Sequence, residues 1–461
     1  MKKDSKQISR REFLRLSGMG ALAVSGLAAC NTKDGTSSPG TSSRSLQPSG
    51  EMTLRSFPPE ITDKVSILGY GCMRWPTKPN PNGQGNVVEQ ETVNRLVDYA
   101  IEHGVNYFDT APGYVQGMSE TATGIALKRH PREKFFIATK LSNFMNPTRE
   151  NSMAMYRQSF KDLQVDHIDY YLLHSLGGGG IEAFNQRFVD NGMMEFLMQE
   201  REAGRIRHLG FSFHGDVDQF RIFMDLHDRY HWDFVQVQLN YVDWQHAAGR
   251  NANAQDLYTA LSEKKIPAVI MEPLLGGRLS NLPTHIVSHL KQARPEESAA
   301  SWAFRFAGSL PNVLTVLSGM TYMEHLQDNL HTYSPLVPLT PDEEQFLFDT
   351  AGLIQKYPTI PCNNCDYCMP CPYGVDIPGI LLHYNKCVNE ANVPQDRMDP
   401  NYRKARRAFL VGYDREVPAL RQADHCIGCN QCTPFCPQRI RIPQELRRID
   451  EFVEKLKQET L

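Results

Sequence analysis

Phe135-Phe136-Ile137-Ala138-Thr139-Lys140 is a short apolar run that closes on a lysine. Aromatic and β-branched side chains in such a run suit a buried strand. Seven further runs of the same kind lie on either side, at residues 67–71, 106–110, 169–174, 208–213, 234–240, 268–274 and 314–319. Helix-like stretches separate them. In residues 90–103, Val93, Leu96, Val97, Ala100 and Ile101 share one face, and residues 256–264 and 296–307 read the same way. Strand and helix in rotation imply parallel strands joined by crossover helices. Eight repeats over about 280 residues fit a closed (β/α)8 TIM barrel, an α/β fold, better than an open doubly wound sheet. No G-x-G-x-x-G follows the first run, which weakens the dinucleotide-fold alternative further.

In such barrels the chemistry sits at the C-terminal ends of the strands. The second run ends around Asp109, the third in Lys140 and the fourth in His174, and Tyr114 lies on the loop after the second. Taken singly these are a helix cap, a surface lysine, a rim histidine and a loop aromatic. Taken together they point to a site, because a lysine closing an apolar strand needs a nearby anion and Asp109 supplies one.

Tyr107-Phe108-Asp109-Thr110-Ala111, Tyr114 followed by Ser119-Glu120, Ile137-Ala138-Thr139-Lys140 and Leu172-Leu173-His174 resemble the aldo/keto reductase superfamily with its Asp, Tyr, Lys, His tetrad. The resemblance implies hydride transfer between C4 of a nicotinamide and a carbonyl carbon. Tyr114 would donate the proton, Lys140 would lower the phenol from its usual pKa near ~10, Asp109 would hold the lysine, and His174 would orient the carbonyl. It also implies that Ser212 and Gln236 hold the nicotinamide carboxamide, although Phe213 stands where an asparagine is expected. Gly319, Met320, His325 and Asn329 match the positions for the adenosine phosphate end. Gly319 and His325 replace the lysine and arginine that NADPH-preferring relatives place on the 2′-phosphate, so the choice between NAD and NADP stays open. The glycine run 177–180 reads as a mobile loop.

Nine of the eleven cysteines fall between Cys362 and Cys436. Eight form two runs, Cys362-x2-Cys365-x2-Cys368-x2-Cys371-Pro372 and Cys426-x2-Cys429-x2-Cys432-x3-Cys436-Pro437. The second has the spacing of bacterial ferredoxins and the first differs by one residue in its last gap. Tight x2 spacing presents successive thiolates to one centre and favours two [4Fe–4S] clusters; zinc sites and a disulfide framework are the alternatives. In two-cluster ferredoxins the fourth cysteine of each run ligates the other cluster. That likeness implies one cluster on Cys362, Cys365, Cys368 and Cys436, and the other on Cys426, Cys429, Cys432 and Cys371. Cys387 and Cys72 read as plain buried thiols. Pro372-x-Gly374-Val375-Asp376-Ile377-Pro378 also resembles the ferredoxin-like extension of one aldo/keto reductase subfamily.

The first thirty residues read as a signal peptide. Ser9-Arg10-Arg11-Glu12-Phe13-Leu14 resembles a twin-arginine signal, and the uncharged stretch 16–29 is too short to span a bilayer. Leu27-Ala28-Ala29-Cys30 resembles a lipoprotein box, so Cys30 would carry a lipid and be the one link to a membrane. Export by the folded-protein route to the periplasm or cell envelope would follow. Residues 31–51 would be a flexible tether, 52–335 the barrel, 336–361 a connector and 362–461 a small, mainly helical, ferredoxin-like domain. A net charge of −3 argues against nucleic acid as a partner. Two functions fit: an oxidoreductase acting on a small carbonyl or alcohol, including sugar-derived ones, with a redox partner protein, or an electron carrier in which the barrel is a docking scaffold.

Overall fold

The eight apolar runs form eight parallel strands that close into a barrel in chain order. They are β1 (Leu68–Gly71), β2 (Tyr107–Asp109), β3 (Phe136–Leu141), β4 (Ile168–Leu176), β5 (Ile206–Phe213), β6 (Phe234–Gln238), β7 (Ala268–Met271) and β8 (Val313–Ser318). In the computed structural model, residues 48, 50–81, 83, 85–249, 251–356 and 359–461 are described, all within the unit Leu46–Leu461. The signal sequence, Cys30 and most of the tether lie outside the described residues.

Side chains alternate across each strand, and this decides which residues reach the barrel axis. Tyr107, Ala138, Tyr170, Leu172, Phe234 and Val269 pack together inside, whereas Phe108, Ile137, Tyr171, Leu173, Val235 and Ile270 pack outward against the helices. Asp109, Lys140 and His174 stand two residues beyond Tyr107, Ala138 and Leu172, so the pleat turns all three inward in the uppermost layer. At the other end an antiparallel hairpin, Leu54–Phe57 with Ile61–Ser66, pushes Ile61 and Val65 into the same interior cluster.

The helix-like stretches become Gln90–Glu102, Ala254–Glu263 and Ala299–Ser309. In the glycine run, Gly180 opens the short helix Gly180–Phe184, and a Cβ on Gly177 would lie 2.5 Å from the His214 carbonyl. Helix Pro341–Ile354 starts with a capping box between Thr340 and Glu343 and buries Leu347 and Ala351 in the barrel's helical shell.

Three helices, Ile377–Asn389, Tyr402–Glu416 and Ile442–Gln458, enclose a separate core around Ile380, Leu381, Phe409, Tyr413, Ile449 and Val453. The Asp376 side chain caps the first at the Gly379 amide, and Pro378 and Pro443 occupy first-turn positions that lack an amide partner in any case. The two cysteine runs lie in irregular backbone around this core. Among the described residues no helix is long and apolar enough to cross a membrane.

Candidate active site at the barrel mouth

Asp109 and Lys140 meet above the barrel core, with Lys140 Nζ 2.6 Å from Asp109 Oδ1 and 2.8 Å from the Thr110 carbonyl. Both are buried. Burial pushes the Asp109 carboxyl up, and Lys140 opposes that rise. Tyr114 opens a tight turn in which Val115 and Gln116 take left-handed backbone, at φ 50° and 55°. A β-branched residue in that region is strained, and the strain persists only where surrounding contacts fix the turn. Its ring lies over the lysine, with Nζ 5.0 Å from the centroid, and edge-to-face with the His174 ring at 5.9 Å. The His174 Nδ1 pairs with Ser142 Oγ at 2.6 Å, and Nε2 with the Tyr367 hydroxyl at 3.2 Å. Burial and the nearby Lys140 and Arg187 charges hold its pKa well below the usual histidine range, so the imidazole is neutral. Arg187 secures the backbone beneath it, donating to the His174 carbonyl at 2.7 Å.

The phenol of Tyr114 differs from the expectation that Lys140 lowers it. Its pKa is raised well above the usual value, first by burial and then by Tyr367, Asp109 and Glu272. Lys140 is paired with Asp109, and in the resting site burial and the acidic neighbours of the phenol dominate. Tyr114 is therefore held as the protonated acid.

Ser212 and Gln236 are register partners on β5 and β6, both buried. Ser212 Oγ accepts the Ser175 amide at 2.8 Å, while Gln236 Oε1 is buried without a hydrogen-bond partner. An orphaned buried amide oxygen suits a ligand that brings an N–H, such as a carboxamide. At the eighth strand, Met320 is buried with its carbonyl accepting from the Tyr70 hydroxyl at 2.5 Å, and Asn329 donates to Ser318 Oγ at 2.9 Å. His325 is exposed beside the Tyr322 ring, and Gly319 lies against the Arg74 side chain.

The cysteine-rich segment seats on this rim. Arg74 donates to the Asn363 and Asn364 carbonyls at 3.0 and 3.3 Å, and Arg278 to Thr359 Oγ1 at 2.9 Å. Gly276 and Gly249 permit the approach, since a Cβ on either would run into the Asn363 or Gln438 carbonyl. A cleft of about 1910 Å³ runs from Tyr114 and His174 past Tyr367 and Cys365 to Cys426 and Cys432.

All ten cysteines among the described residues are free. Cys436 neighbours Cys362, Cys365 and Cys368, and Cys371 neighbours Cys432 together with Cys426. The last cysteine of each run thus lies with the other run. Among the described residues no three His, Cys, Asp or Glu side chains converge as they would on a single ion. Cys72 and Cys387 are buried, Cys72 in the barrel's shell and Cys387 in the core of the three C-terminal helices.

Sequence reasoning missed Ser142, Glu272 and Tyr367. Ser142 stands two positions after Lys140 and so follows the same inward alternation. Nothing in the spacing around Tyr367 marks it, since it was read only as a residue between two cysteines.

Comparison with known proteins agrees with this geometry. The chain is 24% identical to an L-galactose dehydrogenase of Arabidopsis thaliana over 301 residues, 61% of this chain and 88% of that protein. It is 22% identical to the NADH-specific methylglyoxal reductase of Escherichia coli over 320 residues, 60% of this chain and 93% of that one. The holo form of an aldo-keto reductase from Bacillus halodurans superimposes with a TM-score of 0.52 at 23% identity, covering 65% of this chain and 96% of that structure. The model of the aldo/keto reductase family matches residues 67–345, from the first barrel strand into the capped helix that follows the barrel. With the barrel closed and the match spanning all eight strands, this chain belongs to the aldo/keto reductase family.

Proposed function

We propose that the barrel interconverts a small carbonyl and its alcohol with a nicotinamide cofactor, and that residues 362–461 form a ferredoxin-like domain holding two [4Fe–4S] clusters. The observation that carries the catalytic reading is the convergence of Tyr114, His174 and the Lys140–Asp109 pair on one point at the barrel mouth. When bound, the nicotinamide supplies a hydride and the clusters supply single electrons. The protein's own part is protonic. Tyr114, kept protonated by burial, gives its proton to the carbonyl oxygen as the carbonyl carbon is reduced, and takes it back in the reverse direction. Lys140, 5.0 Å from the ring, stabilises the phenolate left behind, and Asp109 keeps that lysine from facing the interior unpaired. Neutral His174 directs the substrate oxygen at Tyr114. Ser212 and the unpartnered oxygen of Gln236 suit the nicotinamide carboxamide.

Support for the clusters is the donor chemistry. The eight thiols of the two runs have the spacing of two four-cysteine sets, and none is tied up in a disulfide among the described residues. Clusters must be inserted before a chain crosses a membrane, which agrees with a folded-protein export signal at Arg10-Arg11. Periplasmic location, a lipid on Cys30 and a redox partner that exchanges electrons with the clusters complete the reading. It is tested on anaerobically purified protein by iron and sulfide content, the coenzyme that copurifies, and turnover of carbonyl substrates. Tyr114→Phe should lower turnover by about 10²- to 10⁴-fold with coenzyme binding retained. Iron-replete protein without turnover on any carbonyl would leave the electron-carrier reading instead.

A further inference from the structure

The cysteine-rich domain places one side chain in the catalytic centre. Tyr367, between Cys365 and Cys368, sets its hydroxyl 3.2 Å from His174 Nε2, and the Tyr114 ring lies against the same histidine, edge-to-face at 5.9 Å. These are the two partners that a substrate oxygen needs under the reading above. The Tyr367 oxygen therefore stands where that oxygen would bind, and a substrate has to displace it.

What happens after displacement depends on how far the phenol can go. Its backbone is pinned, with the preceding Asn363 and Asn364 carbonyls held by Arg74 and left-handed residues at Asn364 and Asp366. Only the ring can swing. Once displaced, the hydroxyl remains on the wall of the same cleft, where an oxygen on the carbon next to the carbonyl can pair with it. Ser142 makes the exchange feasible at His174. A hydroxyl both donates and accepts, so it can pair with Nδ1 in either tautomer, while Nε2 accepts from a phenol or donates to a carbonyl.

We propose that Tyr367 is a specificity-determining residue of the carbonyl site, contributed by the cysteine-rich domain, which selects substrates bearing a hydroxyl on the carbon adjacent to the carbonyl. A simple carbonyl pays for removing the Tyr367 hydroxyl and recovers nothing. An α-hydroxy carbonyl regains the hydrogen bond through its second oxygen. This rests on the carbonyl-reductase reading but makes a separate claim.

The test uses the full, cluster-containing chain and a matched pair of ketones, hydroxyacetone and acetone. The wild type should favour hydroxyacetone in kcat/KM by about tenfold, the value of one hydrogen bond. In Tyr367→Phe the KM for acetone should fall while that for hydroxyacetone rises, collapsing the preference. A general structural lesion would move both the same way, and that result, or an unchanged ratio, overturns the proposal. Binding of the two ketones is measured in parallel by saturation-transfer NMR. A binding preference lost in the variant, in a protein that turns over neither ketone, would sink the reductase reading and leave Tyr367's role standing. Turnover with no change in preference would do the reverse.

Discussion

Lys140 Nζ stands 2.6 Å from Asp109 Oδ1, with side chains only 1% and 4% exposed. Removing one partner leaves the other charge buried and uncompensated. Lys140→Met should therefore destabilise the barrel by about 3–5 kcal/mol, whereas the double change Lys140→Met with Asp109→Leu should recover much of that loss. Urea unfolding of the three proteins checks it. A double variant as unstable as the single one would show that the pair is not what the lysine contributes.

A second expectation concerns coenzyme choice. His325 is exposed beside Tyr322, and Gly319 has no side chain to reach a 2′-phosphate. Dissociation constants for NAD and NADP should lie within about tenfold of one another, since one charge-assisted contact contributes about 1.5–3 kcal/mol and none is assigned here. Calorimetric titration of both decides it, and a hundredfold preference for NADP would mean that another cation fills the role.

If the proposed crossed ligation holds, replacing Cys436 by Ser should disturb the cluster assigned to Cys362, Cys365 and Cys368, although those residues lie far upstream. The expected readout is loss of about four of about eight irons per chain and of one of two reduced-state EPR signals. If the surviving signal instead belonged to the Cys362 set, as shown by its sensitivity to Cys365→Ser, the crossed arrangement would be wrong.

Glu120 gives a pH dependence. It is buried, accepts from Thr139 Oγ1 at 2.6 Å, and burial pushes its pKa up to about 7 from an ordinary 4.5. Between those values the folded state binds a proton that the unfolded chain does not, so stability falls as pH rises through the window. Above pH 7 the whole cost, about 3 kcal/mol, is present. Glu120→Gln keeps the acceptor for Thr139 and removes the charge. Its melting temperature should exceed the wild type's at pH 8 and match it near pH 4; an equal difference at both pH values would exclude ionisation of Glu120 as the cause.

The parts of the site that were legible in the sequence are those governed by local repetition. Asp109, Lys140 and His174 each follow an inward-facing residue by two, so the strand pleat alone places them together once eight strands close. Strand ends were less legible: β4 runs on to Leu176, past His174, because its partner β5 continues pairing to Phe213. The electrostatic state of Tyr114 was not legible, since the influence of Lys140 depends on burial and on which anion the lysine already faces. Tyr367 was out of reach for another reason. It meets His174 across 193 residues, and contacts between separately folded cores leave no period in either segment.

The hairpin that drives Ile61 and Val65 into the base of the barrel makes the molecule a cul-de-sac. Among the described residues the base is closed, so reactant and product share the cleft at the top, which the cysteine-rich segment also lines. Traffic through it must alternate. Each turnover ends with an outward journey over the same threshold, and accumulated product competes directly with the next substrate for entry.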